Sequence, residues 1–285
     1  MRKGIDIGGS FIKIFWEDGR GEKYYIRDIS GDKEGFLKRL REIVFDGDPD
    51  GVGVAVAGFT SLEGVVYKSP NIPALDGVNL KELFKGIPVK VINDVSAGAL
   101  GEWFYDHRES KVLLFVAIGT GLGGGLVIEG KPFLGVCGSS LELGHHVIKA
   151  NGEKCSCGRL GCWEAYCSSY GLERLYEKVS KERIKDYEIL ERAKRGEDRA
   201  LKAVEEFKGY LLLGLMNAVH IFNPDKLVLG GGLIDAMRGF LEGLEEELKS
   251  LCEKLPGDCL SLSFSSCAEY CMARGALVFS FIDDI

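Results

Sequence analysis

Glutamine is absent from all 285 residues. Depletion of thermolabile amides is in keeping with a thermophilic origin. Positive charge is not in excess either: 36 Lys and Arg stand against 43 Asp and Glu, a formal net charge of −7. General nucleic-acid binding needs a basic face, so the composition argues against that class. No apolar run approaches the roughly 20 residues of a membrane-spanning helix. The opening residues, MRKGIDIGGS, offer no apolar stretch of a signal peptide. The expectation is a cytoplasmic protein with neither nucleic acid nor membrane as partner. Linkers rich in Pro or Ser are missing, as is any low-complexity tail. The length allows one large or two medium domains around an ample core.

Cysteine, in contrast, is plentiful at nine residues. Three fall in one cluster, Cys155-x-Cys157-Gly-x-x-Gly-Cys162, ten residues after His145. Three thiolates and an imidazole complete a tetrahedral zinc site. Gly158 and Gly161 supply the turns that a tight knuckle needs. Such a closed four-ligand site is structural and not catalytic. Glu142 and Glu164 bracket the cluster, so zinc would also fix two carboxylates in space. Small buried hydrophobes or a disulfide pair are the alternative reading of these cysteines. Of the other six, Cys137, Cys167, Cys252, Cys259, Cys267 and Cys271, most read as buried thiols, with disulfides open in a hyperthermophile.

Residues 3–7 and 11–16 read as a β-hairpin around Gly8-Gly9-Ser10. Its glycines let backbone N–H groups approach a phosphate, and Ser10 adds a hydroxyl. Asp6 is placed to hold a hydrated magnesium ion, with Lys13 nearby; a plain tight hairpin is the equal alternative. A strand follows at 24–29, a helix at 33–45, and strands at 52–58 and 64–69. Asn71 lies in a stiff loop between Pro70 and Pro73, where a turn-forming role is at least as common. A strand around 89–92 ends in Asn93-Asp94 and a helix begins. Open α/β folds place catalytic groups at such an edge; an N-cap role for Asp94 is the commoner one in isolation.

The next strand runs into Gly119-Thr120-Gly121-Leu122-Gly123-Gly124-Gly125, which reads as a second phosphate cradle. A strand follows it, so it is neither a Walker loop nor a dinucleotide fingerprint. Two hairpins of one design, near residues 8 and 121, form a weak internal repeat and imply two related lobes. Residues 168–254 are largely helical, the longest helix covering 198–221, and Met237–Lys254 reads as a charged amphipathic helix. A short strand at 226 onward runs into Gly230-Gly231-Gly232. A last strand at 260–265 and a helix at 270–282, with Gly275 at a close-packing or interdomain position, end the chain.

In this order the motifs resemble the ROK family of sugar kinases and repressors, and its glucokinases most of all. Asp6-Ile-Gly-Gly-Ser10 with Lys13, Asn93-Asp94 before GALGE, Gly119–Gly125, Glu142-Leu-Gly-His145, the Cys155–Glu164 cluster and Gly230–Gly232 each match a family motif. Ala57-Gly58 stands where the family usually has Pro-Gly, a departure that touches that loop's rigidity. Repressor members carry an added DNA-binding domain; with Asp6 already in the first strand, none is expected here.

The resemblance implies an α/β, two-lobed actin-like ATPase (ribonuclease H-like) fold with a ligand cleft between the lobes. Residues 1–114 would form the small lobe, with the C-terminal helix 271–285 packing on it. Residues 115–270 would form the large lobe, carrying the zinc loop 145–162. It also implies an ATP-dependent hexose kinase, first of all a glucokinase making glucose 6-phosphate, with Asp94 as general base. Gly58, Asn71, Asn93, Asp94, Glu142, His145 and Glu164 would bind the sugar. Asp6, Gly8, Gly9, Ser10, Lys13, Gly119, Thr120, Gly121, Gly123, Gly230, Gly231 and Gly232 would bind ATP and Mg2+. His145 would hold Zn2+ through one nitrogen and face the sugar with the other. A homodimer or homotetramer is the family's habit. Kinases for N-acetylmannosamine, fructose or allose, and a sensor that binds sugar without turnover, are the rival readings.

Overall fold

The computed structural model describes residues 1–28 and 32–282. The chain opens with β1 (Lys3–Ile7), β2 (Phe11–Trp16) and β3 (Gly21–Tyr25), then α1 (Lys33–Phe45), β4 (Val52–Val56), β5 (Phe59–Thr60) and β6 (Val66–Lys68). It continues with α2 (Leu80–Leu83), β7 (Val89–Asn93), α3 (Asp94–Asp106), β8 (Val112–Ile118), β9 (Leu122–Ile128) and β10 (Lys131–Pro132). The helices α4 (Ser169–Ser180), α5 (Asp186–Lys194) and α6 (Asp198–Phe222) follow, then β11 (Lys226–Gly230), α7 (Gly232–Met237), α8 (Leu244–Leu251), α9 (Lys254–Cys259), β12 (Ser261–Phe264) and α10 (Cys271–Phe279). Among the described residues no helix is long and apolar enough to cross a membrane.

Two five-stranded sheets carry the fold, in the orders β3-β2-β1-β4-β7 and β10-β9-β8-β11-β12. Ranked along the chain, each reads third, second, first, fourth, fifth. The weak repeat of the sequence is thus a repeat of topology. Two compact units result: residues 1–111, 125–141 and 266–285 in one, 112–124 and 142–265 in the other.

In the first unit β1 pairs antiparallel with β2 and parallel with β4. Successive side chains point to opposite faces. Ile5, Ile7, Val52, Val54 and Val56 join Phe36, Leu40, Ile43 and Val44 of α1 in one buried core. Gly4, Asp6 and Gly53 occupy the other face by alternation, and α10 comes close there. A Cβ on Gly4 would lie 1.9 Å from the Ala273 carbonyl, and one on Gly53 would lie 1.7 Å from that of Ala276. Gly275 does the same between α10 and α3, with Ala97 O 1.6 Å from its missing Cβ. Close packing within this unit therefore accounts for Gly275.

In the second unit β11 runs parallel to both β8 and β12. The 25-residue α6 packs against α4, α5 and α8.

Some elements differ from expectation. The third strand, expected at 24–29, is found at Gly21–Tyr25, and residue 29 lies outside the described residues. So do residues 283–285 of the C-terminal segment. The helix expected from Met237 to Lys254 is divided: a 3-10 turn covers Arg238–Phe240 and α8 starts only after Gly243. Gly243 has φ +74°, a conformation that interrupts a right-handed helix.

Candidate active site

In the first unit the hairpin turn closes through Gly8 N–H donating to Phe11 O at 3.0 Å. Asp6 lies opposite Lys13 in the β1–β2 register. Burial pushes the Asp6 carboxyl up to about 7; the Asp94 charge adds to the shift and Lys13 opposes it. The Asp94 charge is thus near enough to act on Asp6. Gly9 lies against Asn71, whose Cβ would be 3.1 Å from a Cβ at that position.

The capping role expected of Asp94 in isolation belongs to Asn93. Asn93 Oδ1 accepts from Val95 N–H at 2.9 Å and Ser96 N–H at 3.1 Å. Its Nδ2 donates to Gly58 O at 3.2 Å. Asp94 is the first residue of α3, one position beyond the N-cap. Burial raises its pKa, while N–H groups of the helix start and the Asn93 side chain pull the other way. The Ala57-Gly58 loop is braced at successive carbonyls: Ser69 Oγ donates to Ala57 O at 2.8 Å, and Asn93 holds Gly58 O. These bonds supply a restraint that a proline would otherwise give.

In the second unit the run Gly119–Gly125 is not one loop. Only Gly119–Gly121 lies outside the strands, with Gly119 N–H donating to Gly121 O at 2.9 Å. Gly123 is within β9. Gly125, in the first unit, is small because α3 lies on it: a Cβ there would meet Val95 O at 2.6 Å. Gly230 ends β11 and packs on the Phe115 ring; Gly231, at φ +95°, is the residue before α7 and lies beside Ile118. Gly119, Thr120 and Gly232 line one cavity of about 360 Å³ together with Ser169, Asp186 and Tyr187. These last three were not found from sequence, since they sit on α4 and α5 without a motif.

The knuckle is built as its spacing implies. Cys155 N–H donates to Arg159 O at 2.8 Å, and Gly158 N–H to Cys155 O at 3.0 Å. Gly161 leaves room for the Lys149 carbonyl, 1.8 Å from where a Cβ would stand. The ligand atoms of His145, Cys155, Cys157 and Cys162 all lie within 4.8 Å of one another. Cys157 and Cys162 Sγ are 3.7 Å apart, as are Cys155 Sγ and His145 Nδ1. A tetrahedron with Zn–S of about 2.3 Å has an edge of about 3.8 Å. The set therefore fits zinc in size and in donor chemistry. A disulfide, with S–S of about 2.05 Å, does not match these separations. The remaining six cysteines are free thiols as well; Cys167, Cys267 and Cys271 are buried as expected, whereas Cys252 is partly exposed and Cys137 and Cys259 lie at the surface.

Glu142 precedes the 3-10 turn that carries His145. Glu164 is nearly buried, at 7% exposure. It accepts from Leu122 N–H at 3.1 Å, Ser156 Oγ–H at 2.6 Å and Tyr170 O–H at 3.0 Å. Ser156 and Tyr170 also went unrecognised in the sequence. Behind this segment Trp163 is fully buried and donates its Nε1–H to Tyr210 O of α6 at 3.0 Å.

Comparison with known proteins gives the same frame. A profile described as the ROK family matches residues 2–280. A xylose repressor of Caldicellulosiruptor bescii is 30% identical, over 85% of this chain and 68% of its own. An N-acetyl-D-glucosamine kinase of Pectobacterium atrosepticum is 33% identical, over 82% of this chain and 84% of its own. Among solved structures, a ROK family glucokinase from Streptomyces griseus in complex with glucose and AMPPNP superimposes with a TM-score of 0.80, at 26% identity and 98% coverage of both chains. Enzymes and repressors thus both stand among the relatives. The chain belongs to the ROK family and has the actin-like ATPase fold of its hexokinases.

Proposed function

We propose that this protein is an ATP-dependent hexose kinase, with glucose as the first acceptor and glucose 6-phosphate as product. The observation that carries the proposal is the state of Asp94: an enclosed carboxylate at a helix start, one position beyond the cap Asn93 and raised in pKa by burial. Burial makes this carboxylate a better proton acceptor than an exposed one, although N–H groups of the helix start and the Asn93 side chain also reach it. Asp94 accepts the proton of the 6-hydroxyl as that oxygen bonds to the γ-phosphorus and the bond to the β-phosphate oxygen breaks. Positioning and charge stabilisation supply most of the rate in such transfers.

Asp6 is the group to hold Mg2+ through water, and a bound cation would neutralise developing phosphate charge. Backbone N–H groups of Gly8–Ser10 and Gly119–Gly121 are assigned to the phosphates, with Gly230–Gly232 beside the nucleoside. Asn71, Asn93, Gly58, Glu142, His145 and Glu164 are assigned to the sugar hydroxyls. Zn2+ at His145 and the three cysteines would keep the knuckle folded, with His145 bound through Nδ1. The AMPPNP and glucose bound to the Streptomyces griseus relative support this reading.

The amino-sugar kinase among the relatives favours testing N-acetylated hexoses beside glucose. The repressor relative favours a second reading, sugar binding without turnover. An ATP-dependent assay over a hexose panel, with wild type and Asp94→Asn, separates them. The kinase reading expects turnover that falls by about 10²–10⁴ in the variant. Sugar binding with no turnover on any hexose would replace it with the sensor.

A further inference from the structure

The donors that reach the nearly buried Glu164 come from three pieces of the second unit, and in the knuckle Cys155 Sγ also lies 3.7 Å from its Oε1. Leu122 N–H belongs to the end of the glycine turn. Ser156 Oγ–H lies between the knuckle residues Cys155 and Cys157. Tyr170 O–H comes from the first turn of α4. A buried carboxylate is stable only when such donors are in place.

The packing around it is equally tight. A Cβ on Gly121 would lie 2.8 Å from Glu164 Oε2. One on Gly144, the neighbour of His145, would lie 2.2 Å from Leu122 O. On the far side, Ser169 N–H and Oγ–H hold Gly119 O at 2.8 and 3.1 Å. The turn is gripped at both ends, and one grip begins at the metal-ligand cluster.

We infer that Glu164 is a strut from the four-ligand knuckle to the Gly119–Leu122 turn, with Ser156 and Tyr170 as its positioning residues. Metal occupancy fixes the Cys155–Cys157 segment. Ser156 then holds the carboxylate, and the carboxylate holds the Leu122 amide. The consequence is that the metal governs binding of a nucleotide's phosphates as well as of sugar. That consequence rests on the function proposed above for the turn; the strut itself does not.

Hydrogen exchange at the Leu122 amide tests it on the full chain, in three samples: zinc-loaded wild type, wild type stripped by a chelator, and the zinc-loaded double variant Ser156→Ala/Tyr170→Phe. The expected result is exchange about tenfold faster in the second and third samples, the equivalent of one weakened hydrogen bond to a charged group. Strand β11 should stay protected in the double variant, and elemental analysis should find one zinc per chain in it. Titration with Mg·AMPPNP should then show an affinity loss of similar size. Should stripping unfold the chain, the double variant decides. Leu122 protection equal to wild type in the double variant overturns the strut, as does a wild-type protein that takes up no zinc. Failure to phosphorylate any hexose would sink the kinase reading and leave the exchange result standing.

Discussion

Replacing Asp6 by Asn should make the protein more stable and less active, and the gain should depend on pH. The Asp6 carboxyl is raised from 3.8 to about 7, first by burial and then by the Asp94 charge. Below pH 4 the carboxyl is protonated in both folded and unfolded chains, so it costs nothing. Between about pH 4 and 7 the unfolded chain ionises while the folded one keeps its proton. Stability is lost through that window as pH rises, and the loss is complete above 7. Three pH units at 1.36 kcal/mol each give an upper bound of about 4 kcal/mol. Solvent at the edge of Asp6 screens part of it, so roughly 2 kcal/mol is a fair expectation. Asn cannot ionise and escapes the penalty. Thermal unfolding of wild type and Asp6→Asn, with a chelator present, should therefore coincide near pH 4. They should separate by about 4–8 °C at pH 8, the variant being higher. Mg2+ should narrow the gap by stabilising the ionised pair, while hexose phosphorylation by the variant collapses. A difference independent of pH, or a wild type more stable at pH 8, would refute the assignment of Asp6 as a strained carboxylate kept for function.

The raised Asp94 carboxyl should place the acid limb of kcat/KM above the ordinary carboxylate range near pH 4; a rate flat from pH 8 down to 4.5 would remove Asp94 as base. Cys157→Ser should lose zinc by elemental analysis, and sugar binding should be lost with it; full zinc content in that variant would exclude Cys157 as a ligand. Gly275→Ala forces a Cβ to within 1.6 Å of the Ala97 carbonyl, and overpacking of this kind costs about 1–3 kcal/mol or more. Its denaturation midpoint should drop clearly, and an unchanged midpoint would mean that α10 and α3 separate with ease.

The parts of this protein legible in its sequence are those made by neighbours along the chain. The β1–β2 hairpin, the glycine turns and the zinc-type knuckle each lie within some twenty residues. Residue type and spacing alone decide what can form there. The ROK motifs are local in the same sense, which is why the family could be named before any geometry. Other features were decided by residues far apart in sequence. Asn93 rather than Asp94 caps α3, and its amide also holds Gly58 O, 35 residues away. Gly125, read as part of a cradle, and Gly275, read as a close-packing or interdomain position, are small because α3 presses on each. Ser156 and Tyr170 acquire a role only once Glu164 is buried beside Leu122. Ser169, Asp186 and Tyr187 reach the glycine turn only through the packing of helices α4 and α5. Spacing records which groups are available; burial and distance, set by tertiary packing, decide which of them are free to do chemistry.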